Sequence, residues 1–123
     1  MVLVDTSVWV DHLRAKDTSL VGLLELGKVA IHPIIIGELA CGNLANRELL
    51  LGLWQRLPHA VQASHGEALV YLHAHQLMGK GIGWVDVHLL ASVRLTPGTL
   101  LWTRDKRLAD RAEALGCHWL AER

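Results

Sequence analysis

Very short apolar runs, separated by segments with helical spacing, are the feature of this sequence that most constrains its fold. Residues 2–4 form a mostly β-branched run that ends at Asp5, and residues 29–31 form a second brief run. Residues 100–103 are the clearest strand after the first, and residues 117–120 are a candidate for the last. Short runs that are apolar throughout are typical of strands buried on both faces of a parallel sheet.

Helical segments with one apolar face connect these predicted strands. The usual capping and stop residues mark their ends: a hydroxyl or carboxylate at the start, proline in the first turn, and glycine or proline after the last turn. The predicted helix starts are Thr6 or Ser7, Pro33, Ser64 (with Glu67 at capping-box spacing) and Asp105, and the predicted stops are Gly27, Gly42, Pro58, Gly79 and Gly116.

Strands that alternate with helices predict an α/β domain with a mostly parallel central sheet. The 123 residues contain no repeat, low-complexity tract or linker, so we expect a single domain over residues 1–123. Hydrophobic residues make up 51% of the chain and charged residues 20%, which excludes a disordered protein.

Charge and cysteine content indicate where the protein works and what it can bind. Twelve basic residues balance twelve acidic ones, so contact with nucleic acid would need a local basic patch. Cys41 and Cys117 form neither a disulfide framework nor a CxxC site, which favours a reducing cytoplasm. We expect neither an export signal nor a membrane span, because acidic residues interrupt the first apolar stretch and no uncharged run is long enough.

Four acidic residues stand where functional side chains of a parallel sheet gather. Asp5 directly follows the first strand, and Asp105 follows the strand that ends at Thr103. Functional groups in open parallel sheets collect beyond the carboxyl ends of the strands. Asp86 stands near the start of a helix and can point toward the same edge, while Glu38 is an acid among apolar neighbours. Together these positions predict one acidic site.

Each of these acids also has a structural interpretation. Asp5 and Asp105 are placed to cap the helices that follow them. Asp86 suits a helix N-terminus through the helix dipole, and Glu38 could lie on a solvated helix face. Each signal is weak alone, and only their joint placement favours a functional site.

A cluster of carboxylates requires a counter-charge. Two carboxylates about 4 Å apart repel by roughly 4 kcal/mol at an effective dielectric constant of 20. Ligands that are all oxygen indicate Mg²⁺ or Mn²⁺ rather than zinc. The eight histidines do not support a zinc site, because there is no HExxH motif and His73 and His75 are two residues apart on a helix; we expect most of them at the surface.

Four segments give the sequence its resemblance to a known family. They are residues 2–9 (VLVDTSVW), residues 37–39 (GEL), Asp86 with the Leu-Leu-Ala at residues 89–91, and residues 103–108 (TRDKRL). In this order and spacing they resemble the PIN-domain ribonucleases, and most closely the VapC toxins of prokaryotic toxin–antitoxin pairs. The resemblance extends over essentially the whole chain.

The resemblance implies a three-layer α/β/α sandwich and a Mg²⁺-dependent endoribonuclease, in which Mn²⁺ can substitute and a metal-activated water cleaves RNA. It also implies a homodimer and inhibition by a small VapB-like antitoxin. Asp5 and Asp86 would be the principal metal ligands and catalytic residues, completed by Glu38 and Asp105. The hydroxyls that would orient carboxylates or water are Thr6, Ser7 and Thr103. Leucines one turn after Asp86 replace a further acid, which favours one metal ion over two.

The remaining candidates concern RNA and other functions. Arg14 and Arg104 are the basic residues that we expect to hold RNA phosphates. Trp9 and Trp84 are expected in the core, and the alternative is that they stack on exposed RNA bases. A haloacid-dehalogenase-like phosphatase would need an acid two residues after Asp5, where Ser7 stands. A non-catalytic PIN-fold module that uses apolar helix faces to bind partners is the main alternative to an enzyme.

Overall fold

The computed structural model describes residues 1–121. Its strands are β1 (Val2–Val4), β2 (Val29–Ala30) and β3 (Leu100–Trp102). Its helices are α1 (Thr6–Arg14), α2 (Thr18–Glu25), α3 (Pro33–Ala40), α4 (Arg47–Arg56), α5 (His65–Ala74), α6 (Trp84–Leu95) and α7 (Lys106–Ala114).

The three strands form one parallel sheet with β1 in the centre, in the order β2-β1-β3. Val2 lies opposite Val29 on one side and Leu100 on the other. Leu3 and Val4 are both fully buried, although successive side chains of a strand point to opposite faces. Helices therefore cover both faces of the sheet, and the predicted α/β/α arrangement is confirmed.

Parallel pairing brings the carboxyl ends of β1 and β3 together. The backbone N–H of Asp5 donates to the carbonyl of Trp102 at 2.8 Å, so the residues that follow these two strands are neighbours. Asp5 and Thr103 are both buried at this edge. The sheet therefore places the first predicted acid beside the segment that carries Asp105.

Most predicted helix ends are present, but the start of α1 differs from the prediction. Asp5 occupies the position before this helix, so the prediction that Thr6 or Ser7 caps it is wrong; both lie within the helix. The Ser64 and Glu67 capping box at α5 is confirmed, with both of its hydrogen bonds present.

Two further expectations about the chain are wrong. Helix α5 ends at Ala74, five residues before Gly79, which lies in the following loop. Residues 117–120 form no strand, because His118 makes only a single parallel bridge, to Leu101. Within residues 1–121, none of the helices combines the length and the apolar character required to cross a membrane.

Candidate metal centre

Asp5 is held in place by two hydroxyl groups. Both Ser7 Oγ and Thr103 Oγ1 donate to Asp5 Oδ2 at 2.8 Å. The backbone N–H of Arg104 donates to Ser7 Oγ, and that of Asp105 donates to Thr103 Oγ1. The segment after β3 thus fixes the orientation of a carboxylate that follows β1.

Glu38 on α3 and Asp86 on α6 are also oriented by a hydrogen bond to one carboxylate oxygen. Thr6 Oγ1 on α1 donates to Glu38 Oε1 on α3 at 2.7 Å. Asp86 Oδ2, in the first turn of α6, accepts the backbone N–H of Gly83 at 3.2 Å. Each acid therefore has one oxygen fixed by a neutral donor.

Asp105 caps α7, as one of its two interpretations predicted. Its Oδ1 accepts the backbone N–H groups of Arg107 and Leu108 at 3.0 and 3.2 Å. The Arg107 side chain also packs across the glycine-rich loop before α6. A Cβ at Gly81 would lie 2.8 Å from Arg107 Cδ, and the φ of +80° at this residue also favours glycine. This contact packs the loop before α6, the helix that carries Asp86, against the first turn of α7, which follows Asp105.

The four carboxylates share one pattern. One oxygen of each accepts a positioning hydrogen bond, while within residues 1–121 no protein donor contacts the other oxygen. None of the four forms an ion pair in the same part of the chain, where the only salt bridges join Arg104 to Asp11 and Asp17. Four oriented acids with free oxygens and no basic partner fit a hard divalent cation.

The negative charges of three of these acids act on the fourth, Asp86. Burial raises the pKa of Asp86, and the N–H of Gly83 partly offsets that effect by stabilising the ionised carboxylate. The negative charges of Asp5, Asp105 and Glu38 raise the pKa of Asp86 further. All four predicted acids are therefore close enough to form one electrostatic cluster.

The cluster is open rather than a closed cage. Among the residues described, 1–121, no three His, Cys, Asp or Glu side chains are close enough together to hold a metal ion as they stand. Mg²⁺ is commonly bound through one or two carboxylates and keeps several water molecules. A set made only of carboxylates fits such an ion better than it fits zinc, which usually takes Cys or His ligands.

The electrostatic crowding leads to a prediction for the metal-free protein. Because the pKa of Asp86 is raised in the fold, its ionised form destabilises the native state, and the loss in stability develops as the pH rises through that pKa. Asp86→Asn keeps an oxygen for the Gly83 N–H and removes the charge. We expect the variant to melt a few degrees higher than the wild type at pH 7 in EDTA, and at the same temperature near pH 3. An equal or lower melting temperature at pH 7 would contradict the crowding argument.

The predicted RNA-contacting arginines have different surroundings. Arg14 is exposed and lines a cavity of about 310 Å³ together with Glu38. The guanidinium of Arg104 is bound to the carboxylates of Asp11 and Asp17.

The two tryptophans also differ. Trp9 is buried against Trp54, at 5.8 Å between ring centroids, which confirms its core assignment. The core assignment of Trp84 is wrong, since it is 38% exposed and packs edge-on against His65 and His88.

Sequence reasoning missed one polar residue that links the helices of the site. His32 is completely buried, although we expected most histidines at the surface. Its Nδ1 accepts the backbone N–H of Ile34 at the start of α3, and its Nε2 lies 3.0 Å from Ser92 Oγ on α6. The signal for it was its position directly before Pro33, where a helix-capping residue stands.

Comparison with known proteins agrees with this geometry. A PIN domain family model matches residues 2–114. The chain is 47% identical over 108 residues to Ribonuclease VapC32 of Mycobacterium tuberculosis (strain CDC 1551 / Oshkosh), across 88% of this chain and 87% of that protein. Ribonuclease VapC32 of strain ATCC 25618 / H37Rv shows the same identity and coverage. The resemblance inferred from the motifs is confirmed. The chain therefore belongs to the PIN-domain family and is a relative of the VapC ribonucleases.

Proposed function

We propose that this chain is a metal-dependent endoribonuclease that acts as the toxin of a toxin–antitoxin pair. The observation that carries the proposal is the set of four oriented carboxylates that have no basic partner within residues 1–121. Family membership and 47% identity to proteins named Ribonuclease VapC32 support RNA as the substrate.

Asp5 and Asp86 are the proposed principal ligands of one Mg²⁺ ion, for which Mn²⁺ can substitute. Glu38 and Asp105 complete the site directly or through water. When bound, a divalent cation lowers the pKa of a water molecule and offsets the charge that develops on the phosphate. The protein's own contribution is orientation: the hydroxyls of Thr6, Ser7 and Thr103 hold carboxylate oxygens so that their partner oxygens stay free.

The function is tested by incubating the purified chain with RNA and 5 equivalents or more of Mg²⁺, and then with excess EDTA. We expect internal cleavage that needs the cation, stops in EDTA and returns when Mg²⁺ or Mn²⁺ is restored. The products should include fragments that begin and end inside the RNA, because an endonuclease does not require a free end. Cleavage of equal rate in EDTA would contradict the proposal.

A non-catalytic binding module is the alternative function. Leu49 and Leu53 on α4 are 59% and 47% exposed, and Leu53 lines an apolar groove of about 260 Å³ with Trp9 and Leu13. An apolar groove can bind a protein partner whether the chain is a non-catalytic module or a toxin enzyme. Calorimetry separates the two functions, because a binding module would have no measurable affinity for Mg²⁺ or Mn²⁺.

The proposed partners of the enzyme are RNA, a VapB-like antitoxin and a second copy of the chain. The exposed leucines of α4 provide apolar surface of the kind that such protein contacts cover. Cys41 and Cys117 are free thiols, which suits the proposed cytoplasmic location. Light scattering of the pure chain checks the homodimer, since a mass of one chain at micromolar concentration would contradict it.

A further inference from the structure

The side chain of Arg104 links three elements beside the acidic cluster. Its guanidinium donates to Asp11 Oδ2 on α1 at 2.8 Å and also to Asp17 Oδ2, at the start of α2. It lies over the ring of Trp102, 5.5 Å from the centroid, at the end of β3. The charge expected to hold RNA is thus already bound within the protein.

The backbone of the same residue belongs to the hydrogen-bond network around Asp5. The N–H of Arg104 donates to Ser7 Oγ at 3.0 Å, and Ser7 Oγ in turn donates to Asp5 Oδ2. The residues on either side of Arg104 also belong to the site. Thr103 donates its hydroxyl to Asp5, and Asp105 is itself one of the four acids. A movement of the segment at residue 104 would therefore displace both Asp5 and Asp105.

The contacts of Arg104 are more extensive than a single surface ion pair. An isolated exposed pair contributes little to stability, but here one planar guanidinium spans two carboxylates, one on α1 and one at the N-cap of α2. Asp17 is partly buried, and its other oxygen caps α2 by accepting the N–H of Leu20. Burial alone would raise the pKa of Asp17, but the Leu20 N–H and the Arg104 guanidinium lower it below its usual value. The lowered pKa keeps this carboxylate ionised, and so able to pair with the arginine, at neutral pH.

We propose that Arg104 is a positioning residue, which fixes the segment at residues 103–105 against α1 and α2 so that Asp5 and Asp105 stay in place for the cation. The inference rests on the proposed function and concerns the same site. It differs from the expectation that Arg104 holds an RNA phosphate. A positioning role requires Asp11 and Asp17 to hold the guanidinium, whereas an RNA-binding role requires them to release it.

The test compares three changes that act on this contact. Arg104→Ala removes the guanidinium, and Arg104→Lys keeps the charge but lacks the planar fork that reaches both carboxylates. The double variant Asp11→Asn with Asp17→Asn removes both negative charges, while the asparagine at 17 can still cap α2. Lys106→Ala is the matched control, since it removes one positive charge from an exposed side chain two residues away. Calorimetric titration with Mn²⁺ in the absence of RNA measures the site, and RNA binding in EDTA at several salt concentrations measures the contact with phosphate.

A positioning role predicts the same result for all three changes. We expect Mn²⁺ affinity to fall by about tenfold, the lower end of the range for groups that support metal ligands. RNA binding in EDTA should remain that of the wild type, and kcat should fall while KM is unchanged. Lys106→Ala should bind Mn²⁺ as the wild type does.

An RNA-binding role predicts a different set of outcomes, which would overturn the inference. Arg104→Ala would weaken RNA binding and reduce its salt dependence by about one phosphate contact, while Arg104→Lys would retain it. The double variant would release the arginine and bind RNA more tightly, and adding Arg104→Ala to it would cancel that gain. Unchanged Mn²⁺ affinity in all three variants would also overturn the inference, whereas a wild type that binds no Mn²⁺ would overturn the proposed function itself.

Discussion

Asp5→Asn is expected to lower the rate of RNA cleavage at saturating Mg²⁺ by at least about 100-fold, the usual cost of removing one preorganised electrostatic group from an active site. Asp5 is buried between the ends of β1 and β3, and two hydroxyls fix one of its oxygens. Asparagine has the same shape and can satisfy those hydroxyls, but it carries no charge with which to bind a cation. The measurement is single-turnover cleavage together with calorimetric titration of Mn²⁺.

The control for this variant is Asp110→Asn, the same chemical change at an exposed position of α7. It should cleave RNA at the wild-type rate and show the wild-type melting temperature. Asp5→Asn should melt no lower than the wild type in EDTA, since it relieves repulsion within the cluster. If the folded Asp5→Asn protein kept more than half of the wild-type rate, the metal role of this residue would be wrong.

The position of Asp5 could be predicted because local and tertiary signals agree there. Residues 2–4 are all apolar, as is typical of a strand that is covered on both faces, and Asp5 follows directly. The meeting of Asp5 with the segment at residue 103 follows from the parallel pairing of β1 with β3. Sheet topology thus accounts for the part of the site that the sequence predicts well.

Helix ends show where sequence reasoning stops. Helices α2 and α7 end at glycines with positive φ, Gly27 and Gly116, and both were predicted. Helix α5 ends in the same way, since Leu77 N–H donates to Leu72 and Gln76 N–H to His73, but here Gln76 adopts the left-handed conformation at φ 52°. Burial of Leu77 after this turn stabilises a backbone that glutamine adopts rarely. A tertiary contact, the burial of Leu77, therefore determines where α5 ends, whereas the glycine pattern predicted this end at Gly79.

Side-chain partners within the site could not be predicted either. Arg104 stands next to Asp105 in sequence, which favoured a role toward RNA, but the fold brings Asp11 and Asp17 to its guanidinium. These contacts depend on how α1 and α2 lie relative to β3, which no local pattern specifies. The same holds for His32, whose partner Ser92 is sixty residues away.

His32→Ala is expected to lower the free energy of unfolding by about 3 kcal/mol at pH 7. The change leaves the backbone N–H of Ile34 without its partner, at about 1–3 kcal/mol, and opens a cavity. It also removes one of the two hydrogen bonds of the Ser92 hydroxyl, which still accepts the backbone N–H of Ala63. Since Nδ1 accepts a hydrogen bond, Nε2 carries the proton of the neutral ring and donates to Ser92. This contact joins α3, which carries Glu38, to α6, which carries Asp86.

The same residue gives the stability a defined pH dependence. Burial, together with the nearby His88 and His59, lowers the pKa of His32 from 6.5 to about 4. The neutral ring therefore stabilises the fold fully above pH 6.5, and this contribution is lost as the pH falls toward 4, because the unfolded chain takes up the proton first. In urea titrations, the difference between the wild type and His32→Ala should be smaller at pH 5 than at pH 7. His73→Ala, at an exposed histidine of α5, should leave the wild-type profile unchanged. An equal difference at both pH values would mean that His32 stabilises the protein only by packing. Its titration would then not make the contact between α3 and α6 depend on pH.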